Sequence, residues 1–439
     1  MPTQTSRLAP AAQPVTFETV PLAPPPGSAG PRPLNVAIVD EELPYPPTSG
    51  KRLRTLNLTL RLARRHRLTY ICHRNSDPAE ALRARAFFLE HGIRTAVVDR
   101  AVPRKAGLGF YARLALNTLS PLPFSVTTHD SRALRRALVE HAARQAVDLW
   151  HCEWTPYAHA LRVVSGAPKV VVAHNIEAQV WQRYAVHEPN PFKRLFMRYQ
   201  MRKFLKFEDC TFAACAAAVA VSREDAALAR FAYNAPRVEV VDNGVDTDFF
   251  QPPTGQRQPN TVLFLGSLDW RPNLDAVDVL LRQVWPAVRA QAPEARLQIV
   301  GRNPPAWLAN RVAAESGAEL HGSVPDVRPF LTTCGVLAVP LRIAGGSRLR
   351  ILEALACETP VVATRIGAEG LRLKAGEHLS IVDDCDAMAN GLLAALRDPE
   401  AMLAQARRGR ETVLAEYHWD ALATKLEQVW LSCARVHAA

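Results

Sequence analysis

The densest group of residues able to do chemistry is Ala344–Leu371, AGGSRLRILEALACETPVVATRIGAEGL. Gly345-Gly346-Ser347 opens a helical pattern running to about Cys357, and a strand is expected from Pro360. A glycine-rich turn at a helix start aims several backbone N–H groups at one point, where the helix dipole also favours an anion. Arg348 and Arg350 add two permanent cations whose planar forks suit phosphate oxygens. Glu353 lies further along the same helix, where a carboxylate can accept from a ribose diol. An ordinary capped helix with a charged solvent face explains the glycines alone, but it explains the whole cluster less well. His174, in VVVAHNIEA, ends a strand pattern and is the histidine with the clearest context for proton or hydrogen-bond chemistry. Asp246-Thr247-Asp248 has a spacing that could hold a divalent cation, yet short Asp motifs commonly form local turns. A turn is the expectation there, and no catalytic metal or other cofactor is expected.

The elements that must position these residues follow from the hydrophobic pattern. Asn35–Asp40 is a continuous apolar strand, followed by a Pro/Gly loop and a helix from about Lys51 to Arg65. Further strands are expected at Leu68–Cys72, Ala96–Val98, Val147–Trp150, Val170–Ala173, Ala218–Val221 and Val238–Val241. Continuous rather than alternating runs indicate parallel strands covered on both faces, a doubly wound α/β pattern. Residues 251–260, QPPTGQRQPN, have linker composition, and the pattern then restarts. Thr261–Leu265, Arg296–Val300, Val336–Val339, Pro360–Ala363 and Leu379–Val382 form the second set. The expected organisation is therefore a Pro-rich disordered tail over 1–33, a first Rossmann-like domain over 34–250 and a linker over 251–260. A second Rossmann-like domain over 261–415 and a helix over 416–439 that packs back on the first domain complete it. Two such domains leave a cleft at the carboxyl ends of their strands, where ligands of open α/β sheets bind.

Length and composition agree. A chain of 439 residues exceeds one ordinary core and fits two domains. With 48% hydrophobic and 22% charged residues it is neither collagen-like nor wholly disordered. The longest uncharged apolar run, Phe212 to Val221, is about half of what a membrane-spanning helix needs. The eight cysteines show no CxxC or zinc-ligand spacing, which suits free thiols in a reducing compartment. The net charge of +11 resides in residues 1–250, with 33 Lys+Arg against 22 Asp+Glu; the remainder holds 20 of each. An anionic partner should therefore meet the first half. Asn190–Cys210 concentrates that charge, with Lys193, Arg194, Arg198, Arg202, Lys203 and Lys206 among five aromatics. Docking on anionic lipid and a core helix with a solvated basic face are both open; specific nucleic-acid binding is not expected.

The cluster at Gly345–Glu353 resembles the donor-site motif of retaining glycosyltransferases of family four with the GT-B fold. In that motif two glutamates are separated by seven residues; Glu353 matches the second, while Gly345 stands at the first. A subgroup with GGT/S-R-L-K-I-L-E is similar, with Arg350 in place of its Lys. Asn35–Arg54 resembles the family's first strand and glycine loop, and Asp242–Phe250, DNGVDTDFF, its NGVD segment. Leu263–Asp275, LFLGSLDWRPNLD, resembles the opening of its second domain, where the family's diphosphate-gripping Arg and Lys fall near Ser267 and Pro272.

The resemblance implies a cytoplasmic enzyme of the hexosyltransferase type, peripheral on the inner membrane face. It would move a sugar, with retention, from a nucleotide-sugar to a lipid-linked or saccharide acceptor in exopolysaccharide or surface-glycan synthesis. It implies Gly50 near the phosphates and Glu353 on ribose, with Gly266, Ser267, Arg302 and Val324 near base and phosphates. Arg271, Arg348 and Arg350 would share the positive charge, and His174 would lie beside the donor sugar. A sugar-nucleotide epimerase, a phosphorylase and a non-catalytic membrane scaffold stand as alternatives on the same fold.

Overall fold

A computed structural model describes residues 32–103, 107–343 and 349–438. Seven strands form the first sheet: β1 (Asn35–Asp40), β2 (Arg67–His73), β3 (Arg94–Val98), β4 (Leu149–Cys152), β5 (Lys169–Ala173), β6 (Ala217–Ala220) and β7 (Val238–Val240). Their order is β3-β2-β1-β4-β5-β6-β7 and the pairs are parallel, so the strand order reverses between β1 and β4. Alternate residues of β1 feed opposite cores. Val36 and Ile38 join the helices on one face, and Ala37 and Val39 join those on the other. This two-sided burial is why the strands read as unbroken apolar runs.

The second sheet contains β8 (Gln258–Leu265), β9 (Arg296–Gly301), β10 (Ala318–Gly322), β11 (Cys334–Val339), β12 (Val361–Thr364) and β13 (Ser380–Val382). Its order is β10-β9-β8-β11-β12-β13, again parallel. The two Rossmann-like units that the pattern indicates are thus present, in the arrangement that the resemblance to GT-B proteins implies. Some details differ from expectation. Strand β8 starts inside the stretch read as linker, because Arg257 pins the chain by donating to the Leu331, Cys334 and Cys357 carbonyls at 3.0, 3.2 and 2.5 Å. Strand β10 was not expected, since an edge strand reading AELHG carries no apolar run. Strand β4 lies two residues further on than expected, ending at Cys152 rather than Trp150.

The helix Pro399–Glu416 ends the second unit, and the helix Trp419–Ala438 crosses back. Trp419, Leu422, Leu426, Val429 and Trp430 pack into the first unit's core beside Leu56, Leu62 and Phe88. The crossing point explains the glycine of the NGVD segment. A Cβ on Gly244 would lie 2.7 Å from the Trp419 ring, so the two passing chains approach only because no side chain separates them. A parallel bridge from Val245 to His418 secures the same point.

Candidate functional site

The floor of the cleft is built on the carboxyl ends of β1, β4 and β5. Asp40 ends β1 and is buried; its carboxylate accepts from Lys51 Nζ at 2.5 Å and from the Tyr70 hydroxyl at 2.6 Å. Burial works against the Lys51 ammonium, but Asp40 and Glu41 outweigh it and raise its pKa above the ordinary lysine value. Lys51 is held in place by the helix Gly50–Ala63, whose N-terminus is capped by Ser49 accepting from the Arg52 N–H.

One strand over, Glu153 follows β4 and is only 3% exposed. Its Oε2 lies 2.7 Å from His151 Nε2, and its Oε1 accepts from the Thr55 hydroxyl at 2.7 Å. The same Oε1 lies 3.2 Å from His174 Nε2, at the end of β5. The buried Arg54 guanidinium lies 3.9 Å away and donates to the Val241 carbonyl at 2.8 Å. Burial would raise the Glu153 pKa, yet hydrogen bonds from His151 and His174 hold it well below the carboxylate range. Burial lowers the His174 pKa, opposed by Glu153, so the neutral imidazole is favoured at neutral pH. His174 thus directly follows a strand of the first sheet, while Glu153, its buried neighbour, is not among the residues the sequence reading singled out. The expected end of β4 at Trp150 left His151 and Glu153 outside the strand, so their place on the floor was hidden.

On the opposite wall, the helix Leu349–Ala356 carries Arg350 and the buried Glu353, paired Nη1 to Oε2 at 2.5 Å. Gly345, Gly346, Ser347 and Arg348 lie outside the described residues. Gly50 meets this helix directly: a Cβ there would stand 2.9 Å from Leu349 Cδ1. The start of the first unit's helix and the helix bearing Glu353 are thus in contact across the cleft. Gly266 and Ser267 follow β8, and a Cβ on Gly301 would fall 1.9 Å from the Gly266 carbonyl oxygen. Arg302 follows β9 with its guanidinium 3.7 Å from Asp269, while Val324 packs against the second unit's core.

Arg271 reaches across to the first unit. Its Nη2 pairs with Glu188 of the first unit at 2.8 Å, and its guanidinium lies 4.9 Å from the Tyr184 ring centre. Asp246 accepts from the backbone N–H of Asp248 and Phe249 at 3.1 and 3.0 Å, the local turn expected of the DxD.

The basic segment forms the helix Pro191–Ala213. Its buried side is Met197, Gln200, Phe204, Phe207 and Phe212, while Phe192 (83% exposed), Leu195 and Tyr199 face outward. Lys193, Arg198, Arg202 and Lys206 are exposed and Arg194 is half-buried. Lys203 corrects the sequence reading. It is buried, its ammonium donating to the Asn117 carbonyl at 2.6 Å and lying 4.3 Å from the Tyr199 ring centre. No helix among the described residues is long and apolar enough to cross a membrane.

Comparison with known proteins agrees with this arrangement. Residues 48–249 match the family described as Glycosyltransferase Family 4, and residues 259–404 match Glycosyl transferases group 1. A GDP-mannose-dependent alpha-(1-6)-phosphatidylinositol monomannoside mannosyltransferase of Mycobacterium tuberculosis is 29% identical over 216 residues, 44% of this chain and 55% of that protein. The chain thus spans about half the length of the curated relatives it matches. Among solved structures, a sucrose-phosphate synthase from Thermosynechococcus elongatus superposes with a TM-score of 0.67 at 18% identity, covering 91% of this chain and 98% of that one. Anabaena HepE, in complex with UDP and glucose, gives 0.61 at 14% identity over 91% of this chain and 100% of its own. With both halves matched in order and two parallel sheets facing one cleft, the chain belongs to the family-four glycosyltransferases of the GT-B fold.

Proposed function

We propose that this chain transfers a hexosyl group from a nucleotide-sugar to a lipid-linked or saccharide acceptor, with retention of anomeric configuration. The bond between the anomeric carbon and the β-phosphate oxygen breaks, and one to an acceptor hydroxyl oxygen forms on the same face. The acceptor proton leaves with the departing diphosphate or to solvent. Negative charge growing on the β-phosphate is met by Arg348, Arg350 and the backbone around Gly345–Ser347, with Glu353 turned to the ribose and no metal required. The observation that most supports this reading is the approach of Gly50 to Leu349, which brings the Lys51–Asp40 floor against the Arg350–Glu353 helix. A membrane-bound acceptor is favoured by the outward Phe192, Leu195 and Tyr199 among exposed lysines and arginines, and by the lipid named as acceptor of the mycobacterial relative. Synthesis of a surface glycan or exopolysaccharide on the inner membrane face is the role we assign to this chemistry.

The test is a calorimetric titration with UDP, GDP, ADP and dTDP, with and without EDTA. Binding of one nucleotide, unchanged by chelation and weakened at least about tenfold by Glu353→Ala, is the expected outcome, since a charge-assisted hydrogen bond is worth about 1.5–3 kcal/mol. Absence of binding by any of the four would turn the reading toward a non-catalytic scaffold.

A further inference from the structure

Behind His174 lies a run of buried polar groups that ordinary packing does not require. The Trp430 indole N–H, on the C-terminal helix, donates to His151 Nδ1 at 3.1 Å. His151 Nε2 meets Glu153 Oε2 at 2.7 Å, and Glu153 Oε1 meets His174 Nε2 at 3.2 Å. Trp430, His151 and Glu153 are exposed by 1%, 1% and 3% respectively. Apolar side chains of similar volume would fill this space at lower desolvation cost, so a buried carboxylate between two imidazoles calls for another reason.

The donor inventory of these groups fixes the protons of His151 and sets the preference of His174. An indole N–H only donates, so His151 Nδ1 is the accepting nitrogen and Nε2 carries the hydrogen. That hydrogen goes to Glu153 Oε2. The ionised Glu153 carboxylate, with Oε1 3.2 Å from His174 Nε2, favours the ring hydrogen on that nitrogen and so leaves Nδ1 as the lone-pair nitrogen. The Thr55 hydroxyl, donating to the same Oε1 at 2.7 Å, stops the carboxylate from rotating.

We propose that Trp430, His151 and Glu153 are positioning residues that hold His174 in one tautomer and one orientation for the transfer reaction. The inference rests on the reading that puts His174 beside the donor sugar. It also gives the returning C-terminal helix a role beyond bracing, because Trp430 sets the first proton of the run. The charged groups around His174 are Glu153 at the end of β4, and Lys51 and Arg54 from the helix Gly50–Ala63.

The experiment has one arm without variants and one with them. Nitrogen-15 correlation spectra of the full-length protein, with labelled histidines, should show His151 and His174 protonated on Nε2. Either ring protonated on Nδ1 overturns the proposal. In the second arm, release of nucleoside diphosphate is followed with GDP-mannose and with UDP-glucose. Glu153→Gln should lower kcat at least about tenfold with donor KM within about twofold, because misplacing one reacting group is costly. Its acid limb should move to lower pH, since removing the anion takes away what favours the imidazolium. Trp430→Phe, which keeps the packing, should lower kcat about threefold because the His151 ring loses one of its two anchors, while Glu153 keeps the His151 hydrogen on Nε2. Wild-type kcat and pH profile in Glu153→Gln, beside an impaired His174→Asn, would overturn the relay and leave the role of His174 standing. Full activity in His174→Asn would instead remove that role and the relay with it.

Discussion

At the residue scale, one buried ionisable group close to the cleft floor links stability to pH. Glu208 is fully buried and caps the helix Glu177–Val186, accepting from the backbone N–H of Glu177 and Ala178 at 2.7 and 3.1 Å. Burial first, then the neighbouring Glu177, pushes its pKa up to about 8 despite those two bonds. An unfolded chain loses this proton near the ordinary glutamate value, so between the two pKa values the folded state holds more protons. Stability therefore falls as pH rises from about 4.5 to about 8, by up to about 1.4 kcal/mol per unit. Glu208→Gln removes that slope, and its melting temperature should rise relative to wild type across the window; parallel curves would contradict the assignment. Glu353 and His174 were legible because motif and strand end mark them. Glu153, Thr55 and Glu208 were not, because each takes its meaning from a partner more than twenty residues away.

At the element scale, continuous apolar runs marked twelve of the thirteen strands among the described residues, because strands covered on both faces leave no other pattern. The polar edge strand β10 carries no such signal. What the pattern could not show is which apolar side chains stay outside. The helix Leu108–Asn117 leaves Leu108 (89% exposed), Tyr111 and Leu116 in solvent, with Leu119 (87% exposed) just beyond it. It sits against the basic helix through the Tyr199 hydroxyl, which donates to the Thr118 carbonyl at 2.7 Å, and through the Lys203 bond to Asn117. No Asp or Glu occurs between Arg100 and His129, or between Pro189 and Phe207. Apolar insertion ringed by cations suits an anionic bilayer, each cation near the surface contributing about 1 kcal/mol. The protein should float with phosphatidylglycerol vesicles and far less with phosphatidylcholine. Replacing Leu119, Phe192 and Leu195 by Ser should cut binding to the anionic vesicles at least about tenfold, each lost apolar burial removing about 1.5–3 kcal/mol. Equal binding to both lipids would contradict the surface.

At the scale of the whole molecule, the two units are tied together on the side of the cleft that carries His174. The helix Glu177–Val186 starts three residues after that histidine. Its Arg183 makes a two-pronged bond with Glu369 of the second unit, at 2.7 and 2.8 Å. Just beyond its end, Glu188 takes Arg271 at 2.8 Å. Arg271, expected to share the positive charge at the phosphates, makes in this structure a second pair between the units. Both pairs span separately folded sheets, so their geometry depends on how the units sit and they act only when the cleft is shut. Side chains of Arg183 and Glu369 are 17% and 22% exposed, which makes their mutual loss costlier than that of a solvent pair. Arg183→Glu would place two carboxylates face to face and favour opening. Small-angle scattering should then give a larger radius of gyration, and kcat/KM should fall about tenfold, equivalent to about 1.4 kcal/mol. Glu369→Arg alone should do the same. The double exchange restores the pair with reversed polarity, so both readouts should return toward wild type. If each single variant opens the molecule but the double does not close it, the two side chains act separately and the latch is wrong. If neither single variant changes the scattering, closure is held by packing between the Gly50 and Leu349 helices instead.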